Sequence, residues 1–304
     1  MKNSYSYRKK RFQEMKNLWN LNEVHDLFVY YQPTPEELED LRFSVMLYIS
    51  KAFYFNYTSD EKEFIQRLDN SRSVRDNITP NGGVVPKREY QLEYNMVLRS
   101  WSKLVNNMIK GDTALLKKFR ITPNIRIKFG IELEENIGRT LNTSFPHSDA
   151  WVEGPWGMNC YTPLLGDVEN NNLIFWKPKD ENNFRDEFLN TAKTYEEMQW
   201  VLDHYILTKE LTPKKGVVNI SDYALIHATH RNDSCGTRIS IDTTVFVGDH
   251  EVHMDRDSEY LDNVQIIGED LFVSTNRSID EKLVVEKKST FSHYTSGNLL
   301  FHKC

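Results

Sequence analysis

Cysteine is scarce in this chain: three residues in 304, Cys160, Cys235 and Cys304, widely spaced and without a Cys-X-X-Cys pair. An odd and scattered set excludes a disulfide framework and a zinc ribbon. No apolar run approaches the roughly 20 residues that span a bilayer, and the polar N-terminus lacks the apolar segment of a signal peptide. The expectation is a cytoplasmic protein with no membrane partner. Positive charge is in deficit, with 38 Lys and Arg against 44 Asp and Glu and a net charge of -6. A nucleic-acid partner would demand a basic surface. The single basic run, Arg8-Lys9-Lys10-Arg11, reads as a solvated face. Internal repeats and low-complexity tracts are also missing.

What is plentiful is material for a core. The chain is 39% hydrophobic, with 16 Phe, 15 Tyr and 6 Trp, which excludes wholesale disorder. The length fits one main core with additions. Residues 1–120 read as a helical region packed on that core. Thr34-Pro35-Glu36-Glu37 is a capping box with Pro at the first helical position, and Leu38, Leu41, Val45, Tyr48, Ile49, Ala52 and Phe53 follow at helical spacing. A shorter helix is expected from Thr58, with Glu61 as its reciprocal cap. Tyr90, Tyr94, Val97, Trp101, Leu104, Val105 and Met108 form one stripe of a third helix, with Gly111 placed to end it. Pro80, Gly82, Gly83 and Pro86 mark a loop between the last two.

The period then changes from helical to alternating. Ile125, Ile127, Phe129 and Ile131 alternate with Arg126, Lys128 and Gly130, the pattern of a half-buried strand. Further short strands are expected at 142–151, 157–164, 172–177, 216–220, 223–228 and 237–247, so residues 121–250 read as a barrel or sandwich. A charged, helix-like insert at 179–211, with Phe184, Phe188, Tyr195, Met198, Val201 and Leu202 as buried contacts, interrupts them like a lid. Residues 251–304 form an extension whose role the sequence does not declare.

Chemistry gathers in two stretches. His147 and Asp149 lie two apart on an expected strand, so both side chains take one face and Ser148 the other. His227 follows 78 residues after Asp149. Two imidazoles and a carboxylate on one side of a metal leave open positions, the arrangement of non-haem Fe(II) oxygenases. Downstream, Arg238, Ser240 and Asp242 alternate with Ile239 and Ile241. An Arg on such a strand presents a fork suited to a carboxylate, and if buried it must be paired by Asp242 or by a ligand. His230 is a second candidate for the distal ligand, though it leaves only eight residues to Arg238 against eleven from His227. His250, Glu251 and His253 read as a solvated loop.

The set His147-Ser148-Asp149, His227, Asn232, Arg238 and Ser240 resembles the Fe(II)/2-oxoglutarate-dependent dioxygenases. The likeness is greatest to the branch of phytanoyl-CoA hydroxylase and of oxygenases from antibiotic and carbohydrate clusters. It covers residues 124–247. It implies an α+β fold with a double-stranded β-helix core of the jelly-roll or cupin-like kind, and Fe(II) held by His147, Asp149 and His227. It also implies 2-oxoglutarate bound by Arg238 and Ser240, with Asn159 and Tyr161 as further pocket residues, and O2 as oxidant. The family's halogenating members lack the carboxylate of Asp149, so hydroxylation or a related oxidation of a small polar molecule is the implied reaction. Two other classes stay open: a barrel without turnover that binds or regulates, and a cupin-like metal enzyme that needs no keto acid. Trp151, Trp156, Phe175 and Trp176 are expected to fill the barrel, and Arg126 to lie at the surface. Nothing in the sequence fixes an oligomeric state.

Overall fold

The computed structural model of the protein describes residues 5–18, 21, 23–79, 82–108, 116–120, 123–130, 146–148, 157–181, 202–222, 225–247, 264–266, 271–274, 283–285 and 300–303. Helices and antiparallel sheets are mixed. The helices are α1 (Tyr5–Leu18), α2 (Pro35–Ala52), α3 (Glu61–Asn70) and α4 (Gln91–Met108), the last preceded by a 3-10 turn over Arg88–Tyr90. Strands β1 (Glu23–His25) and β2 (Phe28–Tyr31) lie between α1 and α2, and β3 (Leu116–Arg120) follows α4. The central strands are β4 (Asn124–Lys128), β5 (Gly157–Gly166), β6 (Asn171–Pro178), β7 (Tyr205–Thr208), β8 (Val218–Asp222), β9 (Ile226–Arg231) and β10 (Arg238–Val247). Four short strands close the chain: β11 (Val264–Ile266), β12 (Leu271–Ser274), β13 (Leu283–Val285) and β14 (Leu300–Lys303).

The larger sheet runs β1-β2-β8-β5-β10-β3-β11, with β4 also paired to β10; a smaller one runs β7-β6-β9. A third sheet, β12-β14-β13, lies beside α4. The first two sheets meet through the rings of Phe28 and Phe175, 5.0 Å apart, and through Tyr161, whose hydroxyl donates to Asn172 Oδ1 at 3.2 Å. On β10 and β4 the apolar residues Ile239, Ile241, Ile125 and Ile127 are buried in one cluster with Val45, Ile49, Val97 and Trp101 of α2 and α4. Alternation therefore turns Arg238, Ser240 and Asp242 to the other face of the sheet. That division of faces places the candidate site.

Thr34 caps α2 as its sequence pattern requires, accepting from Glu37 N–H while the Glu37 carboxylate takes the Thr34 N–H at 2.8 Å. Thr34→Ala should cost about 1 kcal/mol of stability, readable as a lowered urea midpoint with an unchanged slope. α4 is held instead by its buried stripe, in which Tyr94, Val97, Trp101, Leu104, Val105 and Met108 are all buried, each worth roughly 1.5–3 kcal/mol. The α3 cap differs from expectation. Asp60, not Thr58, accepts from Glu63 N–H at 2.8 Å, and Glu61 is already helical, bound instead to Arg42 and Lys215. Gly166 ends β5 with φ +80°, and a Cβ there would lie 2.0 Å from the Thr237 carbonyl, so the chain must be bare where β5 passes β10.

Other expectations need correction. The first 120 residues are not helical throughout, since β1, β2 and β3 join the larger sheet. Phe28, Val29, Tyr30 and Tyr31 are all buried, so β2 shows no alternation to betray it. The insert contributes a strand, β7, at its end; Leu202 is half-buried, and Phe184, Phe188, Tyr195, Met198 and Val201 lie outside the described residues, as do Gly111 and Ile131. The basic run is not a solvated face. Arg8 is buried and its Nε meets Asp222 Oδ1 at 2.5 Å, and Lys9 pairs with Asp26 and Glu181. Lys10 is exposed, and the Arg11 side chain lies outside the described set. Among the described residues no helix is long and apolar enough to cross a membrane.

Candidate active site

Two histidines from distant parts of the sequence are brought side by side. His147 forms an isolated antiparallel bridge with His227 on β9, each N–H donating to the other's carbonyl at 2.9 Å. Their rings lie 4.4 Å apart between centroids, tilted by 53°, and the Phe175 ring stands 5.9 Å from His227. His227 is 6% exposed. Its Nδ1 lies 3.1 Å from the Leu225 carbonyl, which can only accept, so a hydrogen bond there puts a proton on Nδ1 and, in the neutral ring, leaves the lone pair to Nε2. That is the tautomer a metal-binding imidazole needs, fixed by a backbone carbonyl behind it. Ser148 is buried. Asp149 lies outside the described residues, as do Trp151 and Trp156.

His230 sits at an odd offset from His227 on the same strand and takes the opposite face. It is exposed, with Nε2 3.0 Å from Asn232 Oδ1. Asn232 in turn is exposed and bonded to Asn170. The structure therefore brings His147 to His227 and leaves His230 and Asn232 at the surface.

The second half of the site is the polar face of β10. Arg238 is 1% exposed and Ser240 0%. Asp242 accepts from Arg126 Nε at 2.6 Å and from Asn124 Nδ2 at 2.8 Å, so its oxygens are already engaged by β4. Among the described residues, Arg238 Nε and Nη1 and Ser240 Oγ meet no partner in hydrogen-bond geometry; the polar group that bears on both residues is the buried Tyr161 hydroxyl, which is no carboxylate. Three buried polar atoms on one strand face without partners are unusual, because such burial costs about 1–3 kcal/mol per group and more for a charged one. Tyr161 of β5 flanks them, its ring 5.6 Å from the Arg238 guanidinium. Burial pushes the Tyr161 phenol up, against the pull of Arg238, and burial lowers the Arg238 pKa from its usual range. Asn172, which receives the Tyr161 hydroxyl, is itself anchored by donating to the Pro213 carbonyl at 2.8 Å. Asn159 lies two residues before Tyr161 on the same face of β5, half-buried and opposite Ser221 of β8.

Sequence reasoning missed the cations around Arg238. Arg126 is not a surface residue but the half-buried partner of Asp242. Lys128 lies directly opposite Arg238 across β4 and β10. Burial, then the charges of Arg126, Arg238 and Arg231, push its amine down to about 7. Arg231, at the far end of β9 from His227, donates to the Phe129 carbonyl at 3.1 Å. The signal was present in the sequence, since Arg126 and Lys128 share the alternation of Ile125 and Ile127. What local pattern could not supply was the strand that they face.

Phe175 fills the core at 2% exposure, and Trp176, on the opposite face of β6, is half-buried. Cys160 and Cys235 are buried free thiols, and burial pushes the Cys160 thiol up. His250, Glu251, His253 and Cys304 lie outside the described residues. Among the described residues no group of three or more His, Cys, Asp or Glu is placed to hold a metal; the two histidines make a pair.

No protein-family model matches this chain, and no curated protein matches its sequence. Solved structures similar to it include the non-heme alpha ketoglutarate dependent epimerase SnoN from nogalamycin biosynthesis, at 10% identity, with 78% of this chain and 81% of that one covered and a TM-score of 0.38. AviO1 from Streptomyces viridochromogenes Tue57 shares 12%, covering 78% and 94%, with a TM-score of 0.40. An N-substituted L-amino acid dioxygenase from Burkholderia ambifaria AMMD shares 13%, covering 72% and 82%, with a TM-score of 0.34. Likenesses this slight carry no weight of their own, and the functional reading rests on the chain's own residues.

Proposed function

We propose that this chain is a non-haem Fe(II)- and 2-oxoglutarate-dependent oxygenase whose core is a double-stranded β-helix. The reading of the core is supported by two antiparallel sheets in the orders β8-β5-β10-β4 and β7-β6-β9, with His147 bridged to the free side of β9. The observation that carries the reading of function is the buried, partnerless set Arg238 Nε, Arg238 Nη1 and Ser240 Oγ. Cationic and hydroxyl donors flanked by a phenol, with the neighbouring carboxylate Asp242 engaged by Arg126 and Asn124, call for a carboxylate ligand.

The residues present fit the implied groups. His147 and His227 would hold the iron together with Asp149, and the far carboxylate of 2-oxoglutarate would lie against Arg238 and Ser240. Bound iron, keto acid and O2 supply the oxidation, with release of succinate and CO2. The protein's part is positional. The Leu225 carbonyl holds the His227 tautomer, Phe175 packs against that ring, and Tyr161, fixed by Asn172, walls the anion site and keeps water from it. The substrate class is a small polar metabolite such as a sugar derivative, an amino acid or a natural-product intermediate. Asp149 favours its hydroxylation.

Purified protein incubated with Fe(II), 2-oxoglutarate and O2 should release succinate, and a compound that raises the rate severalfold in a metabolite screen would name the substrate. Protein that neither binds iron nor makes succinate would sink the proposal.

A further inference from the structure

We infer that Lys128 completes the far-carboxylate site beside Arg238 and takes up a proton when a dicarboxylate binds there. This rests on the oxygenase reading above and adds a coupling that the reading does not require.

Arg238 and Lys128 are Cα partners on antiparallel β10 and β4, so their side chains leave one sheet face about 5 Å apart at Cβ. The backbone here is pinned: Asn171 Nδ2 donates to the Lys128 carbonyl at 2.9 Å and to the Gly236 carbonyl at 3.1 Å. Arg231 is held at the same end of the sheet by the carbonyl of Phe129, the next residue after Lys128. The amine is therefore faced by Arg126 on its own strand, Arg238 on β10 and Arg231 on β9. Among the described residues Asp242 is the carboxylate that counters them, and its oxygens are engaged by Arg126 and Asn124. Tyr161 of β5 adds a buried phenol beside Arg238.

Burial first, and then the charges of Arg126, Arg238 and Arg231, disfavour a fourth positive charge here, and the amine falls from 10.5 to about 7. A ligand carboxylate against Arg238 reverses the balance, because it brings negative charge next to the amine and favours the ammonium form. The occupied state then holds more protons than the free one at any pH between the two amine pKa values. By linkage, affinity must fall as pH rises through that window, by up to about tenfold per pH unit. Below about pH 6 both states are protonated and the coupling vanishes.

The test is calorimetric titration of 2-oxoglutarate into Mn(II)-loaded protein, where no turnover occurs, in buffers of different ionisation enthalpy. Wild-type protein should take up close to one proton per ligand at pH 8 and almost none at pH 6, with Kd about tenfold weaker at pH 8.5 than at pH 7.5. Lys128→Arg, whose guanidinium does not titrate, should still bind but with no uptake and a Kd flat across this range. A binding enthalpy independent of buffer at pH 8, or uptake that persists in Lys128→Arg, would overturn the inference while leaving the oxygenase reading intact. Failure of the wild-type protein to bind 2-oxoglutarate at all would overturn that reading, and this inference with it.

Discussion

His227→Ala is expected to weaken Fe(II) binding by more than roughly a hundredfold, the loss already seen when mere outer-shell partners of a metal are removed, whereas His230→Ala leaves it unchanged. The contrast follows from strand parity. His227 turns toward His147 with its ring fixed by the Leu225 carbonyl, while His230, three residues on, turns to solvent and bonds Asn232. An Fe(II) titration of the two variants, each checked for an unchanged fold by circular dichroism, separates them. Because spacing to Arg238 admits either histidine to within a few residues, the reverse result would move the iron to the other face of β9. The anion site and the metal would then lie on opposite sides of a sheet, and the oxygenase reading could not stand.

Local pattern carried much of this fold and little of its pairing. The Thr34 capping box, the α4 stripe and the alternation in β4 all repeat within a few residues, and each is realised. β2 escaped notice because Phe28 to Tyr31 are buried on both faces, so no period survives to be read. Arg8 looked solvated for a related reason: its partner, Asp222, is 214 residues away, and a run of like charges gives no hint of one deep ion pair. The candidate site divides the same way. Alternation placed Arg238 and Ser240 on one face, and the need for a counter-charge was legible as a choice between Asp242 and a ligand. Only the register of β4 against β10 shows where Asp242 is engaged, by handing it to Arg126 and Asn124.

Arg238→Met should separate binding from stability in opposite directions. Removing a buried charged partner from a carboxylate ligand typically costs 2–5 kcal/mol or more, which is about a 30- to 4,000-fold loss in 2-oxoglutarate affinity. Iron binding should persist, since Arg238 touches neither histidine in the contacts described for it. Without ligand the substitution should help the fold. The guanidinium is 1% exposed, with Nε and Nη1 lacking hydrogen-bond partners among the described residues. An apolar side chain of similar length removes that desolvation, and comparable replacements of buried ions are neutral or stabilising by about 1–4 kcal/mol. Chemical denaturation of the apo protein should therefore show Arg238→Met no less stable than wild type, while 2-oxoglutarate, which raises the wild-type midpoint, does nothing for the variant. A marked loss of apo stability would mean that Arg238 is satisfied within the protein, and the case for a carboxylate ligand would lose its main support. A site kept at a cost to the empty fold is what a binding role predicts, and a purely structural arginine would show the opposite sign.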